Sequence, residues 1–184
     1  ISNLESDSAV DILRTIPREK RSQFIDLIDD GSKRNIELVA SFDEDEIGSR
    51  MTSNFILISN DMTIKSAMTS LISQAKDNDN ITTIFVADKN GLFYGAIDLT
   101  DLIIARQNDP LEDIISTSFP YVYGTEEVDN VIESLKDYSE NSIPVLDNSN
   151  HIIGVITSQN LVEVIDDEMG EDYAKLAGLT AEED

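Results

Sequence analysis

The run Val86-Ala87-Asp88-Lys89-Asn90-Gly91-Leu92-Phe93-Tyr94-Gly95-Ala96-Ile97-Asp98-Leu99-Thr100-Asp101-Leu102 aligns without a gap on Val145-Leu146-Asp147-Asn148-Ser149-Asn150-His151-Ile152-Ile153-Gly154-Val155-Ile156-Thr157-Ser158-Gln159-Asn160-Leu161. The offset is a constant 59 residues, Val145 against Val86. Such self-similarity marks a repeated supersecondary unit and decides the architecture before any single residue does. Upstream, the copies continue at another offset. Asp61-Met62-Thr63-Ile64-Lys65-Ser66-Ala67-Met68 corresponds to Thr125-Glu126-Glu127-Val128-Asp129-Asn130-Val131-Ile132 at 64 residues, Thr125 against Asp61. The first unit therefore carries five extra residues, expected within Ser73–Thr82 where its first helix ends.

Each unit reads as β-α-β-β-α. A short strand (Phe55 to Ile58; Tyr121 to Tyr123) precedes a helix capped by Asp61 or Thr125, whose side-chain oxygens can accept from first-turn N–H groups. A buried strand follows, Ile84 to Ala87 or Ile143 to Leu146. A turn comes next, Asp88-Lys89-Asn90-Gly91 or Asp147-Asn148-Ser149-Asn150, rich in residues that tolerate positive φ. A third strand, Leu92–Ile97 or Ile152–Ile156, runs into a helix opening near Leu99 or Ser158.

Residues 1–47 read as short helices. Ser6 or Asp7 would cap the first, with apolar positions Val10, Ile12, Leu13 and Ile16. Pro17 suits the first turn of a second, burying Phe24, Ile25, Leu27 and Ile28 and stopping at Gly31. A third would carry Ile36, Leu38, Val39 and Ala40. These are too small to make much core alone and read as the end of a larger helical domain. The sequence starts at Ile1 in mid-pattern, as a fragment of something longer would.

Composition narrows the partners. Lys and Arg total 13 against 37 Asp and Glu, a formal charge of −24. Nucleic acids and anionic lipid surfaces are repelled by such a chain, and cations are its natural partners. High charge can also signal disorder, but 40% of the residues are hydrophobic and fall in periodic runs. Without cysteine there are no disulfides or thiolate metal sites, and His151 is the sole histidine, so a bound metal would be held by oxygen: Mg²⁺, Ca²⁺ or Mn²⁺. Neither a signal peptide nor an apolar run near the ~20 residues of a membrane span is visible. No nucleophile stands beside a base, so catalysis is not expected.

The α/β architecture, a β-α-β-β-α unit occurring twice over roughly residues 50–167, resembles the tandem CBS domain pair. Its most specific element is the strand–helix junction, glycine, two hydrophobics, Thr or Ser, two residues, then Asp or Asn. Here it reads Gly95-Ala96-Ile97-Asp98-Leu99-Thr100-Asp101 and Gly154-Val155-Ile156-Thr157-Ser158-Gln159-Asn160. The first copy keeps Asp101 but has Asp98 in place of the hydroxyl. The second keeps Thr157 but has Asn160 where Asp is usual. In nucleotide-binding pairs the equivalents of Asp101 and Thr157 touch adenine nucleotide. The resemblance thus implies ATP or AMP as one ligand class, while Asp101 equally reads as a helix cap.

The flanks extend the resemblance. A helical segment, an acidic link (Asp43-Glu44-Asp45-Glu46) into Met51-Thr52, two units and an acidic exit (Glu163 to Asp172) together resemble the cytosolic region of MgtE-type magnesium transporters. The implied plan is a helical N domain to residue 47, units at 48–110 and 111–167, and a connecting helix at 168–184 leading to a transmembrane channel outside this sequence. The resemblance implies a homodimer on the cytoplasmic face of the membrane. There, Mg²⁺ between acidic faces would compact the dimer and close the pore. Carried over by position, the family's metal positions fall on Asp7, Asp11, Glu127, Glu163, Glu168, Glu171 and Asp172. Asn160 stands where the family has Asp, and Ser139 where some relatives carry it.

The residues point the same way. Asn160, Glu163, Asp167 and Glu171 share one helical face, and Glu168, Glu171 and Asp172 cluster at i, i+3 and i+4. Like charges so spaced oppose the helix by some tenths of a kcal/mol per pair, and a cation reverses the sign. Mg²⁺ keeps several waters and takes only one or two carboxylates, so acidic faces meeting across an interface suffice. Taken singly, each carboxylate reads as solvated surface; taken as a group, the exit cluster reads as metal-binding. Asp43–Glu46 reads as a solvated linker and His151 as surface. Phe85, Phe93, Tyr94 and Ile153 read as core or dimer-interface material rather than a cofactor box.

Overall fold

The computed structural model describes residues 12, 13, 15, 16, 30–135, 140–160 and 162. Two three-stranded sheets carry the duplication. Strands β1 (Ile56–Ser59), β2 (Thr83–Ala87) and β3 (Phe93–Asp98) form the first, and β4 (Val122–Tyr123), β5 (Ser142–Leu146) and β6 (Ile152–Thr157) the second, each with its middle strand central. The registers are copies of one another. Thr83 faces Asp98 and Ser142 faces Thr157, and both hairpins shift register at the same step, Val86/Ala87 and Val145/Leu146. The parallel pairings carry the larger offset, with Ile58 against Val86 and Val122 against Val145. The extra residues of the first unit thus lie between Ser59 and Thr83.

Local chemistry accounts for the elements. Every residue of β2 and β5 is buried, as expected of strands covered on both faces. Proline has no N–H to give a ladder, and opposite Pro144-bearing β5 the strand β4 is two residues long against four in β1. The hairpin turns use positive φ at Gly91 (81°) and Asn150 (66°). In each, an aspartate closes the turn: Asp88 Oδ1 accepts from the N–H of Asn90 (2.8 Å) and Leu92 (3.0 Å). Asp147 Oδ1 accepts from Ser149 and His151 (both 2.9 Å).

Helix starts differ from expectation. Helix α2 (Ile64–Gln74) is capped by Thr63, not Asp61, through a reciprocal box in which Ser66 N–H donates to Thr63 Oγ1 and Thr63 N–H to Ser66 Oγ. After α3 (Leu99–Ile104), helix α4 (Val128–Leu135) begins at Val128, so Thr125 lies in the turn before it. Gly31 does not end a helix; it lies in the first turn of α1 (Asp30–Val39). At the far end of α2, Gln74 donates to Leu57 O (2.8 Å) and accepts from Leu57 N–H (3.1 Å), blunting the outer edge of β1. The loop after it is tied to Asn54, which bonds Asp79 and Asn80.

Three cores result. Ile56, Ile58, Ile64, Leu71, Ile84, Val86, Ile97 and Leu102 fill the first unit, together with Leu111 from a 3₁₀ turn at Leu111–Ile114. Val122, Val128, Val131, Ile143, Val145 and Ile156 fill the second, but so do Leu13, Ile36, Val39, Ile47 and Met51 from the helical segment and its link. Ile12, read as an apolar core position, is exposed. The helical segment is therefore built onto the second unit, although the first follows it in the chain. Between the sheets lies a third core of Phe85, Ala96 and Val155 flanked by Phe55, Phe93, Phe119 and Ile152. Phe85 makes edge contacts to Phe55 (6.2 Å) and Phe119 (5.9 Å), pairs of a kind worth about 0.5–1.5 kcal/mol each beyond burial. Phe85 and Phe93 are thus core, within the cluster between the two units of the chain.

The units exchange their leading segments. Thr52, entering the first unit, pairs with Val155 of the second by two backbone bonds of 2.9 and 3.0 Å. Ser116, entering the second, pairs with Ala96 of the first by two of 3.0 and 2.8 Å. The junction glycines make room for both crossings. A β-carbon at Gly95 would stand 2.5 Å from Ser116 O, and one at Gly154 2.6 Å from Met51 Sδ and 3.0 Å from Thr52 O. Leu92 and His151, equivalent positions of the two copies, bridge each other at the centre, with Phe93 N–H donating to Asn150 O at 2.8 Å.

The two glycines should not respond alike. Gly95→Ala meets rigid backbone and should cost about 1–3 kcal/mol of unfolding free energy, whereas at Gly154→Ala the nearest neighbour is a flexible methionine and the loss should be smaller. Urea unfolding of both variants checks the order; equal or reversed losses would contradict the crossing geometry.

Candidate functional site

The strand–helix junctions are the first candidate. In the first unit Asp98 caps α3 (Leu99–Ile104), its Oδ1 accepting from Thr100 N–H at 2.7 Å. The cap is therefore Asp98 and not Asp101, which sits exposed in the first turn. In the second unit Thr157 and Asn160 satisfy each other. Asn160 Oδ1 accepts from Thr157 Oγ1–H (2.7 Å) and N–H (3.2 Å), while Asn160 N–H donates to Thr157 Oγ1 (3.2 Å). Asn160 is only 6% exposed. The first junction thus presents two carboxylates and the second an uncharged, internally bonded pair. The two carboxylates of the first oppose an anionic phosphate. Ser142, opposite Thr157, is fully buried with its hydroxyl unpaired.

The acidic residues sort by place. Glu127 is exposed, its Oε2 accepting from Asn130 Nδ2 at 3.1 Å, and its backbone bridges Glu46. The link Asp43–Glu46, read as a solvated connection, keeps mainly exposed side chains, but its backbone is bonded to the second unit. Val128 N–H donates to Asp45 O and Ile47 N–H to Glu126 O, both at 2.8 Å. This brings Glu46, Glu126 and Glu127 onto adjoining backbone. Glu46 and Glu126 are partly committed, accepting from Asp43 N–H (2.9 Å) and Tyr123 N–H (2.8 Å). Among the described residues no group of three or more Asp, Glu or His side chains is arranged to hold a metal ion. Glu127 fits a hydrated cation as one outward carboxylate. Asn160 could offer its oxygen only by giving up its cap bonds. Asp7, Asp11, Ser139, Glu163, Glu168, Glu171 and Asp172 lie outside the described residues.

A third feature lies on the outer face of the first unit. An open groove of about 360 Å³ runs between α2 and α3, lined by Ile64, Lys65, Met68, Thr69, Leu102, Ile103, Ala105 and Gln107. Beside it Ile72, Ile103 and Ile104 are 60%, 62% and 71% exposed. Val162, the counterpart of Ile103 in the second copy, is also exposed. No helix of the described residues is long and apolar enough to cross a membrane. His151 has a surface side chain, 45% exposed, with Nδ1 3.5 Å from Asp147 Oδ1. Tyr94 packs on the core of the first unit and Ile153 on that of the second.

Comparison with known proteins agrees with this geometry. The model of the CBS domain matches residues 45–108 and 111–167. Magnesium transporter MgtE of Enterococcus faecalis is 31% identical over 148 residues, 80% of this chain and 33% of that protein. The chain thus spans about a third of that relative. A crystal structure of the soluble part of a magnesium transporter superposes with a TM-score of 0.83 at 27% identity, covering 90% of this chain and 64% of that one. The cytosolic domain of the Mg²⁺ channel MgtE in complex with ATP superposes with a TM-score of 0.81 at 27% identity, covering 88% and 66%.

Two tyrosines give the region a pH signature. Tyr94 donates to Glu112 Oε1 at 2.6 Å, and that bond, then burial and the nearby negative charge, hold its phenol proton above the usual 10.0. Tyr123 is raised chiefly by burial, then by Tyr121 and the Glu126 charge. A raised folded value means stability that is complete below 10.0 and lost as pH climbs through the raised value. Urea midpoints should therefore fall above pH 10, less steeply in Tyr94→Phe; an unchanged slope in that variant would contradict the assignment.

Proposed function

This chain belongs to the CBS-domain family, and from that premise we propose that it is the cytosolic, magnesium-sensing regulatory region of a magnesium transporter or channel. The observation that carries this is the extent of the likeness. It runs past the two CBS units into the helical segment and its link, where a generic CBS pair has no reason to be similar. A CBS pair alone defines a fold and leaves function open. The region is non-catalytic and works at the cytoplasmic face of the membrane, joined to a transmembrane channel.

Electrostatics supplies the sensing. A chain with a formal charge of −24 pays a repulsive cost whenever acidic faces approach, and divalent cations remove it. Mg²⁺ held with its waters between Asp7 and Asp11, the second unit at Glu127, and the exit segment at Asn160, Glu163, Glu168, Glu171 and Asp172 would compact a homodimer and favour pore closure. Of these, Asn160 contributes least, because its oxygen already serves the Thr157 cap. The exposed isoleucines beside the α2–α3 groove suit the dimer contact, being apolar side chains that burial in a partner would stabilise.

Adenine nucleotide is the second reading, favoured by the ATP complex of the MgtE relative. In this chain it would use the Thr157 junction in preference to the doubly acidic one at Asp98 and Asp101.

Millimolar Mg²⁺ should lower the radius of gyration in solution scattering and slow proteolysis. Glu163→Gln combined with Glu171→Gln should abolish that response while leaving the circular dichroism spectrum unchanged. No response up to ~10 mM Mg²⁺, with ATP or AMP binding instead, would overturn the magnesium reading in favour of the nucleotide one. Ile104→Asp should shift sedimentation from dimer to monomer; an unchanged dimer would exclude this face as the contact.

A further inference from the structure

The second unit carries a slot that the first lacks. Gly48, in a 3₁₀ turn at Ile47–Arg50, donates its N–H to Gly124 O at 2.8 Å, so two glycine backbones lie side by side with no side chain between them. The ring of Phe42, just beyond α1, lies across both. A β-carbon at Gly48 would stand 2.6 Å from Phe42 Cγ, and one at Gly124 2.7 Å from Phe42 Cζ. Either substituent would overlap the ring, so the slot exists only because both positions are glycine. Ile153 closes its far side, and the ring joins the core that Ile36 and Val39 of α1 share with the second unit.

The duplicate shows that the slot is not a requirement of the fold. By the 64-residue offset, Gly48 corresponds to Glu112 and Gly124 to Asn60, and Ile153 corresponds to Tyr94 by the 59-residue offset. The structural equivalence is secure: Gly124 N–H donates to Leu146 O and Asn60 N–H to Ala87 O, both at 2.9 Å. In the first unit the corresponding space is spanned by the Tyr94–Glu112 hydrogen bond. One copy has been opened for an aromatic ring and the other closed by a polar bridge.

We infer that Phe42 and the Gly48–Gly124 slot form a latch that fastens the helical segment to the second unit, and that withdrawal of the ring is the step by which the Ile47–Arg50 turn opens locally. The adjoining short ladder, Asp45 O to Val128 N–H and Ile47 N–H to Glu126 O, continues the same attachment. Withdrawing the ring loosens this attachment while the Thr52–Val155 crossing stays in place. The inference is independent of which ligand the pair senses.

The chain has no cysteine, so Ser49→Cys, at a buried position of the 3₁₀ turn, provides a single reporter. In that background Phe42→Ala should raise the rate of thiol labelling about tenfold or more, since labelling follows the population of the locally open state. Phe42→Leu should restore most of the protection, and Gly124→Ala, which expels the ring from the other side, should mimic Phe42→Ala. A reporter at Ala96→Cys, in the first unit, should label at its original rate throughout. An unchanged rate at the Ser49 reporter would overturn the latch. Equal acceleration at both reporters would also overturn it, because Phe42 would then act through global stability alone.

Discussion

The reciprocal crossing at the two junction glycines holds the rest of the molecule in place. Thr52 bonds to Val155 and Ser116 to Ala96, so neither sheet is complete without a strand segment that leads into the other unit. This follows from Gly95 and Gly154, whose missing side chains admit the crossing backbones, and from the aromatic core around Phe85 that the crossing encloses. The Met51-Thr52 segment carries Ile47 and Met51 into the second unit's core, so the helical segment comes to rest there too. The 3₁₀ turn at Leu111–Ile114 does the same for the first unit, placing Leu111 in its core. Two units interlocked in this way cannot slide past one another freely. A force applied to the helical segment is therefore delivered to the second unit first and to the first unit across the shared aromatic core.

Function grows out of departures from symmetry on this symmetric base. The first junction keeps two carboxylates and the second an internally bonded, uncharged Thr157–Asn160 pair. The second unit alone accepts the helical segment, and beside it Glu46, Glu126 and Glu127 are drawn together by backbone bonds between the link and α4. Under the proposed magnesium reading, negative charge concentrated at this joint is what a divalent cation would neutralise. Packing of Ile36, Val39, Ile47 and Met51 fixes where the segment docks.

Much of the fold was legible from the duplication. The 59-residue offset reproduces both hairpins residue for residue, including the register shift and the aspartate-closed turns, because strand pairing and turn chemistry are local properties that a repeat copies directly. Capping was less legible: Asp61 and Thr63 are both good caps, and only Ser66, three residues after Thr63, distinguishes them through the capping box. The exchange of leading segments was missed, although the signal was present. Ile47 and Leu111, and Thr52 and Ser116, keep the 64-residue offset well upstream of the first strand. What no spacing could reveal was that Ile36, Val39 and Phe42 belong to the distant unit, since contacts across so long a stretch of chain leave no periodic trace. The acidic link looked like solvent-exposed chain because its side chains are exposed; its backbone bonds carry no compositional mark.

Interlocked in this way, the two units and their crossings form one cooperative module. Native-state hydrogen exchange of the amides of Thr52, Val155, Ala96 and Ser116 tests it most directly, because each of the four donates across a crossing. If the crossings interlock the units, all four amides exchange with one opening free energy, equal to that of global unfolding and equally sensitive to denaturant. If Thr52 and Val155 instead open at a lower free energy than Ala96 and Ser116, the units unfold separately and the account is contradicted.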